Sequence, residues 1–392
     1  MPDITTVDQE SGLPDSGGSI PSENSGASTP EQPPAGAYDA VLLVSFGGPN
    51  GPTDVLPFLE NVLRGRNVPR ERMLEVAEHY HHFGGKSPIN EQNLALLSAL
   101  RAELDRRGPH LPVYWGNRNW HPLLSETLRE MADNGVKRAI AFVTSAYSSY
   151  SGCRQYRENI SAACALLGDR APQVDKIRVF FNHPGFVRPM AANVTRALQQ
   201  FPAAVHGQAA VLFTAHSIPI SMADSCRYFA QLTEASRLVA AAADVAAWQL
   251  VFQSRSGPAT QPWLEPDVCD AIRTLHSQGV THILLVPIGF ISDHMEVLYD
   301  LDTEAADLCR QLGIAMVRVA TVGTDPAFVG MLRDLIAERV WNLPGRTAIG
   351  NLPANHDVCP LDCCPAPALR RGAVVCDAAL PTVDPSQENR SA

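Results

Sequence analysis

The sequence predicts an α/β protein built from two Rossmann-like domains, each with a parallel sheet. Short apolar runs bounded by turn residues, such as residues 210–213, are typical of buried parallel strands. Segments with apolar residues at i, i+3 and i+4, such as residues 93–104, predict helices between these strands. The alternation starts again after a gap near residues 202–207. Because alternating strands and helices form right-handed βαβ units, we expect two such domains that face each other across a cleft.

The predicted elements follow one another in the same way in both domains. In the first domain the strands cover residues 40–44, 113–115, 139–143 and 177–181, and the first strand ends in the turn Phe46-Gly47-Gly48-Pro49. In the second domain they cover residues 210–213, 249–252, 283–288 and 315–319, with helices at residues 232–244 and 326–341. We therefore expect four regions: an N-terminal tail at residues 1–37, a first domain at 38–200, a second domain at 201–341 and a C-terminal extension at 342–392.

Both ends of the chain differ in composition from the two domains. Residues 1–37 are rich in Ser, Gly, Pro and acidic residues and contain no aromatic residue. Such a segment cannot bury enough apolar surface to offset its chain entropy, so it is predicted to be a disordered tail. Residues 342–392 are rich in Pro, Asn and Ala, and they are predicted to form a cysteine-bearing extension outside the core.

The composition excludes several classes of function. The apolar fraction of 45% is that of an ordinary globular protein, while the net charge of −10 disfavours nucleic acid as a partner, because phosphate recognition requires clusters of Lys and Arg. No stretch approaches the roughly 18 consecutive apolar residues of a membrane helix. The N-terminus lacks the basic and apolar regions of a secretion signal. We therefore expect a cytoplasmic protein with no membrane span.

Two strands of the second domain end beside histidines and carboxylates. Thr214-Ala215-His216-Ser217-Ile218-Pro219 follows the strand at residues 210–213, and Ser292-Asp293-His294-Met295-Glu296 follows the strand at 283–288. Ligands of open α/β sheets bind outside the carboxyl ends of the strands, and these side chains can bind a metal ion or move a proton. Two structural interpretations remain open: His216 as a hydrogen-bonded strand-end histidine, and Asp293-x-x-Glu296 as the N-terminal box of a helix.

A line of acidic residues continues along the helix predicted after this segment. Glu296, Asp300 and Glu304 recur at a spacing of four residues, which places like charges on one helix face. Because such charges destabilise a helix slightly, the pattern suggests that a cation or a basic partner compensates them. The alternative interpretation is a solvated helix face.

The two strand-end segments resemble those of ferrochelatases, the enzymes that insert ferrous iron into a porphyrin. Two stretches of the first domain resemble the same family: residues 80–90, which begin Tyr80-His81-His82-Phe83, and residues 114–122, which contain Trp115-Gly116-Asn117-Arg118. The four segments occur in the right order, and the resemblance covers residues 38–341. It implies a chelatase-like fold, in which two Rossmann-like domains with parallel sheets face each other across a porphyrin cleft.

The resemblance also implies catalytic roles. His216 is implied to be the metal ligand or the proton acceptor, with Glu296 as its partner across the cleft. Metalation of a porphyrin releases two pyrrole protons, and the acidic line beside the histidine is read in this family as a path for metal or protons. The implied path residues here are Asp293, His294 and Asp300.

Other residues are implied to contact the substrate. Phe46, Tyr80 and Phe290 are candidates for lining the flat macrocycle, because aromatic faces stack well on π-systems. Arg118 matches the active-site arginine of the family and could pair with a carboxylate or steer the ring, whereas Asn119 stands where animal relatives have tyrosine. The candidate partners of the porphyrin carboxylates are Lys86, Ser87 and Arg64 or Arg66.

Cys359-x-x-x-Cys363-Cys364 stands out among the nine cysteines. Thiols this close in a cytoplasmic chain are better explained as metal ligands than as disulfides. The resemblance implies a [2Fe–2S] cluster, since some ferrochelatases carry one on such a tail with one further cysteine from inside the domain, here Cys153. The alternative is a zinc site that uses His356 with three cysteines. Cys376 is a spare candidate ligand.

The sequence thus predicts a ferrochelatase of haem biosynthesis, with a porphyrin and ferrous iron as its substrates. The missing membrane segment and the cysteine tail favour coproporphyrin III, with protoporphyrin IX as the alternative porphyrin. The remaining hypotheses are a chelatase that inserts cobalt or nickel into a tetrapyrrole and a non-enzymatic binder of porphyrin or metal. Enzymes of the haem pathway are the expected transient partners.

Overall fold

The structure, a computed structural model, describes residues 38–65, 68–257, 260–360 and 362–366. The predicted tail at residues 1–37 lies outside these residues, as do most of the extension, Arg66 and Cys376. Within the described residues, the strands form two four-stranded sheets in which all neighbouring strands are parallel. The predicted α/β fold is therefore confirmed. The domain limits near residues 200 and 341 stay a prediction.

The two sheets have the same topology. The first contains β1 (Ala40–Ser45), β2 (Val113–Asn117), β3 (Arg138–Val143) and β4 (Gln173–Lys176) in the order β2-β1-β3-β4. The second contains β5 (Ala210–His216), β6 (Trp248–Gln253), β7 (His282–Val286) and β8 (Ala315–Arg318) in the order β6-β5-β7-β8. In each sheet the chain reverses its direction of travel across the first strand. This reversal is the point at which open α/β sheets bind ligands.

Helices connect the strands and cover both faces of the sheets. In the first half they are α1 (Val55–Leu63), α2 (Arg70–His82), α3 (Ile89–Arg107), α4 (Leu124–Asp133), α5 (Gln155–Ala165) and α6 (Pro184–Leu198). In the second half they are α7 (Ile220–Ala223), α8 (Tyr228–Ala242), α9 (Val268–Ser277), α10 (Met295–Tyr299), α11 (Ala306–Gln311) and α12 (Pro326–Val340). Two segments have π-helical hydrogen bonding, Tyr150–Arg154 and Asp300–Ala305. No described helix combines the length and the hydropathy that a membrane span requires.

The core is divided by the alternation of side chains along the strands. In β1, Val41 and Leu43 face a large cluster that also contains Phe213 of β5, whereas Leu42 and Val44 face a cluster under α4 and α5. Successive side chains of a strand point to opposite faces, so a strand that is apolar throughout is covered on both sides. The continuous apolar runs in the sequence are explained by this double burial.

One predicted strand, at residues 177–181, is wrong. The strand that pairs with β3 is β4, which ends at Lys176, and only the Ile177 N–H still donates to the sheet, to the Ala141 carbonyl. Arg178 then turns inward and forms two 3.0 Å hydrogen bonds to Glu338 of α12. Phe180 and Phe181 fill the large core cluster as part of a loop. Their apolar sequence therefore resembles that of a buried strand, although they do not form the hydrogen bonds of a strand.

The first part of the extension lies against both halves of the chain. The Asn182 side chain donates to the Leu352 carbonyl at 2.7 Å, and the Asn351 N–H donates to Glu234 of α8 at 2.5 Å. Arg346 binds Asp357 within the extension at 2.6 Å. These contacts lead the chain to the cysteines that begin at Cys359.

Candidate active site and cysteine site

The active-site candidates lie where β5 and β7 end side by side. His216 is the last residue of β5, and after β7 the Gly289 N–H donates to the Thr214 carbonyl at 3.0 Å. A Cβ at position 289 would lie 2.7 Å from the Ala215 Cβ, so glycine is required for this approach. The structure thus brings the two sequence segments together at the topological switch point of the second sheet.

The tautomer of His216 follows from its hydrogen bond. Its Nδ1 lies 2.5 Å from the Ser217 carbonyl oxygen, which can only accept, so Nδ1 carries the proton. Nε2 therefore has a free lone pair, and it faces Glu296 Oε2 at 3.8 Å. A lone pair at this position can bind a metal ion or accept a proton.

His294 has the opposite tautomer. Its Nδ1 accepts a hydrogen bond from the Val297 N–H at 3.2 Å, so the proton is on Nε2, 3.7 Å from Glu296 Oε2. Burial lowers the pKa of His294, which favours the neutral ring, although Glu296 opposes this. The helix cap is thus His294, and the interpretation of Asp293-x-x-Glu296 as an N-terminal box is wrong. Glu296 lies between an imidazole N–H and an imidazole lone pair.

Asp293 is held by hydrogen bonds to its side chain and to its backbone N–H. Arg318 binds both of its carboxylate oxygens, at 3.1 and 3.0 Å, and the Thr321 hydroxyl donates to it at 3.2 Å. Its backbone N–H donates to Gln92 of α3 at 2.8 Å. The carboxylate charge is therefore neutralised by a bidentate arginine pair, and Asp293 fixes the loop that carries His294.

Asp300 lies beside the catalytic candidates at the start of a π-helical segment. Gln253, at the end of β6, donates to its carboxylate at 3.2 Å, and the Ser254 hydroxyl donates to it as well. Burial raises the pKa of Asp300 to about 7, and the charge of Glu296 contributes to the increase. This carboxyl can thus exchange a proton near neutral pH.

The predicted substrate contacts of the first half form one wall. Phe46 and Tyr80 both pack edge-on against Phe58, with ring centroids 6.3 and 5.7 Å away. The Arg118 guanidinium lies over the Tyr156 ring at 4.5 Å and the Phe46 ring at 5.7 Å, and its Nε donates to Asn159 at 2.6 Å. Burial, with a contribution from Glu296, raises the pKa of Tyr80. The neighbouring His79 ring on α2 stacks on the Tyr299 ring of α10, with centroids 3.6 Å apart, which places the wall next to the helix that carries Glu296.

Phe290 lies in the second half of the chain, beside His294. Its ring packs edge-on against His294 at 4.6 Å, and it also contacts the core cluster of the second sheet. Among the predicted carboxylate partners, Lys86 pairs with Glu91 at 2.5 Å, Ser87 is buried and Arg64 is exposed. Of these, Arg64 and Lys86 are accessible to a ligand and Ser87 is not.

The four predicted cluster ligands meet at one place. The Cys363 and Cys364 sulfurs are 3.6 Å apart, and the ligand atoms of His356, Cys359 and Cys363 all lie within 4.8 Å of one another. A hydrogen bond from the Cys359 thiol lowers the pKa of Cys153 to about 5, which favours its thiolate. Cys153, from the first half, thus joins the three thiols of the extension.

Cations surround these thiols. In addition to the Cys359 hydrogen bond, Arg157 and Lys176 lower the pKa of Cys153. Burial lowers the pKa of His356, and Lys176, Arg157 and Arg227 lower it further. The Arg157 Nε is buried and has no hydrogen-bond partner in the described part of the chain. A buried N–H without a partner beside four thiols fits a site that holds an anionic group, such as a metal cluster with thiolate ligands.

A comparison with known protein families matches residues 38–340 to the family model described as Ferrochelatase. The match covers both sheets and both strand-end segments. The chain belongs to the ferrochelatase family.

Curated relatives of the ferrochelatase family are similar over most of the chain. A protein from Rhodopirellula baltica named Ferrochelatase is 58% identical, covering 85% of this chain and 94% of that one. A protein from Streptomyces coelicolor named Coproporphyrin III ferrochelatase is 51% identical, covering 88% and 97%. Among solved structures, SirB from Bacillus subtilis with Fe3+ has a TM-score of 0.49 and 12% identity, covering 76% of this chain and 96% of that one.

Sequence reasoning missed several residues of this ferrochelatase site. Gln253 and Ser254 bind Asp300, and Arg318 binds Asp293. Gln253 could have been found, because it lies at the carboxyl end of a predicted strand next to His216. Arg157 and Lys176 had no signal, since the chain separates them from the thiols of the extension by more than a hundred residues.

Proposed function

We propose that this protein inserts ferrous iron into coproporphyrin III and that His216 and Glu296 carry the reaction. The proposal depends most on one observation: the free lone pair of His216 Nε2 faces Glu296 Oε2 at 3.8 Å. Membership of the ferrochelatase family makes the chain a metal chelatase, a lyase of haem biosynthesis. Relatives from Streptomyces coelicolor and Frankia alni named Coproporphyrin III ferrochelatase, 51% and 52% identical, support this choice of porphyrin.

His216 is proposed to take the pyrrole protons. Its Nδ1 proton is held by the Ser217 carbonyl, so Nε2 alone is available to the macrocycle. When Nε2 accepts a proton, the ring becomes positive, and the Glu296 carboxylate stabilises that charge at 3.8 Å. The His294 N–H faces Glu296 from the other side at 3.7 Å and keeps the carboxylate oriented.

Asp300 is proposed to receive protons from this pair. Gln253 links Glu296 to Asp300, because its amide donates to the Glu296 carbonyl and to the Asp300 carboxylate, both at 3.2 Å. Its pKa of about 7 suits a group that takes up and releases protons at physiological pH. Asp293 is proposed to position the loop rather than to bind the metal, because Arg318 occupies both of its oxygens.

Phe46, Tyr80 and Phe290 are proposed to contact the faces of the porphyrin and Arg118 one of its carboxylates. The first three are aromatic and only half-buried, so part of each ring is available to a ligand. The Arg118 guanidinium is held by the Tyr156 ring and Asn159, which leaves a planar cation in a fixed orientation. Coproporphyrin III has four carboxylates and needs no membrane, which is why we propose a cytoplasmic location.

Cys153, Cys359, Cys363 and Cys364 are proposed to hold a [2Fe–2S] cluster. Four thiolates complete the ligand set of such a cluster, and Arg157 and Lys176 would offset its negative charge. When bound, the cluster would supply one-electron redox chemistry. Its cysteines would also join the extension to the first half of the chain.

Zinc is the alternative metal at this site. His356 Nε2 lies 3.7 Å from the Cys363 sulfur, so a zinc ion with mixed ligands also has its donors there. Iron, sulfide and zinc analysis of protein purified without oxygen distinguishes the two. Equal amounts of iron and sulfide with visible absorbance support the cluster, and stoichiometric zinc without sulfide would contradict it.

The function is tested by anaerobic Fe2+ insertion with coproporphyrin III and protoporphyrin IX, using the wild-type protein and His216→Ala. We expect turnover with coproporphyrin III and a loss of at least a hundredfold in the variant, because a positioned base contributes about 10²–10⁴-fold. Asp307→Asn, a change at a surface ion pair on α11, serves as the control. Tight porphyrin binding without turnover would favour the non-enzymatic binder, and turnover only with cobalt or nickel would favour the other chelatase class.

A further inference from the structure

Gln231 of α8 joins the two segments that lead to the cysteine site. Its Oε1 accepts from the Ser148 N–H at 2.7 Å, and its Nε2 donates to the Ser148 hydroxyl at 3.1 Å and to Asn355 Oδ1 at 3.4 Å. Ser148 precedes Cys153 in the first half, and Asn355 precedes Cys359 in the extension. Gln231 and Asn355 are both buried. A single buried amide therefore holds both sources of the predicted cluster ligands against α8.

Tyr228 connects the same face of α8 to the catalytic candidate. It lies three residues before Gln231, a spacing that places both side chains on one side of the helix. Its hydroxyl donates to the His216 carbonyl at 3.0 Å, and its ring packs edge-on against Tyr147 at 6.1 Å. The Tyr147 hydroxyl in turn donates to the Ile288 carbonyl at 2.8 Å, just before the loop that leads to His294. Every contact in this series is buried or half-buried.

We propose that Tyr228 and Gln231 are positioning residues that couple the cysteine-bearing segments to His216. The position of Gln231 depends on its hydrogen bonds to Ser148 and Asn355, and Tyr228 binds the backbone carbonyl of His216. Packed and hydrogen-bonded groups and rigid secondary-structure elements carry energetic coupling between two sites, and α8 is such an element between Gln231 and Tyr228. A change at the thiol site then alters the orientation of His216 without touching the cleft. The inference rests on the proposed function, and it is tested both with turnover and without it.

The first test removes the hydrogen bond between Asn355 and Gln231. Asn355→Ala removes this contact at the extension, and because Asn355 is not among the proposed porphyrin contacts we expect about a fivefold lower kcat with unchanged KM for coproporphyrin III. This equals about 1 kcal/mol at 1.36 kcal/mol per tenfold. Asn351→Ala is the matched control, because Asn351 reaches Glu234 of α8 through its backbone N–H, which alanine retains. Tyr228→Phe, which removes only the hydroxyl, should give the same loss.

The double variant distinguishes coupling from two independent defects. If Asn355 and Tyr228 act through one series of contacts, the kcat of the double variant equals that of the less active single variant. A loss equal to the product of the two single losses would overturn the inference. So would wild-type kcat in Asn355→Ala.

Amide hydrogen exchange tests the same coupling without turnover. The Ser217 N–H, just after β5, donates to the carbonyl of Gln253 at the end of β6, and the Cys153 N–H donates to the carbonyl of Ser149. Because coupling is reciprocal, Asn355→Ala should speed exchange at Ser217, and Tyr228→Phe should speed exchange at Cys153. Changes confined to the neighbourhood of each substitution would overturn the inference even if the wild-type protein proves to have another activity. If the wild-type protein shows no turnover but both variants show the expected faster exchange at the distant amide, only the proposed function is contradicted.

Discussion

Replacing Asp300 by asparagine should stabilise the protein at alkaline pH and have little effect near pH 4. Burial is the largest cause that raises the pKa of Asp300 from 3.8 to about 7, and the charges of Glu296 and Glu304 add to it. Between these two values the folded carboxyl keeps a proton that the unfolded chain has released. The stability that Asp300 contributes therefore falls as the pH rises through this window. A difference of about three pKa units corresponds to about 4 kcal/mol, reached in full above about pH 7.

The assay is urea unfolding at 25 °C between about pH 4 and pH 8, with the free energy of unfolding compared between wild type and variant. Asparagine never carries the buried charge, so the advantage of Asp300→Asn should grow from near zero to a few kcal/mol across this range. Asp307→Asn, which alters an ion pair with Arg310 at the surface, should show no such trend. An advantage that stays constant with pH, or one that shrinks as the pH rises, would refute the reasoning.

Three further substitutions test other parts of the structure. Glu338→Gln leaves the Arg178 guanidinium without its counter-charge, and the Arg178 side chain is only 1% exposed. The free energy of unfolding, measured in urea, should therefore fall by about 3–5 kcal/mol, and a fall below about 1 kcal/mol would contradict this. Arg157→Gln removes a positive charge beside the thiols and should lower the midpoint potential of the proposed cluster in an EPR redox titration by tens of mV, where about 59 mV is a tenfold change; an unchanged potential would count against the proposed role. Arg118→Leu should raise KM for coproporphyrin III about tenfold with a smaller change in kcat in steady-state assays, since it removes a binding cation and not the base; a loss in kcat alone would show that the arginine acts on the chemistry.

Most of the fold could be predicted from the sequence because parallel strands that are buried on both faces appear as short continuous apolar runs. Seven of the eight strands overlap the predicted ones, and β5 extends three residues beyond the apolar run to include His216. β4 was mislocated because its own sequence, Gln173–Lys176, is polar and half-exposed at the sheet edge. The apolar residues that follow it pack into the core from a loop. Apolar content reports burial, and only hydrogen bonds define a strand.

The catalytic residues could be located from the sequence, but their protonation states could not. The switch-point rule and the family resemblance both lead to His216 and Glu296, and the structure places these side chains 3.8 Å apart. The tautomers depend on which backbone group each Nδ1 meets: a carbonyl at His216 and an N–H at His294. Those partners are set by the local course of the loop, which no residue pattern records. The cations near the thiols are equally invisible, because they are brought there by tertiary contacts.

The acidic line shows how a change of helix type separates residues with equal spacing. In a regular α-helix, Glu296, Asp300 and Glu304 would share one face, which left open both a metal or proton path and a solvated face. The structure has a π-helical segment that begins at Asp300, so the hydrogen bonds there run to the fifth residue and the face is interrupted. Asp300 bonds to Ser254 and lies within the site, whereas Glu304 is exposed. The solvated interpretation therefore holds for Glu304 and is wrong for Asp300. The four-residue helical spacing places Asp300, with a pKa of about 7, beside Glu296, and the π-helical turn that follows separates Glu304 from them.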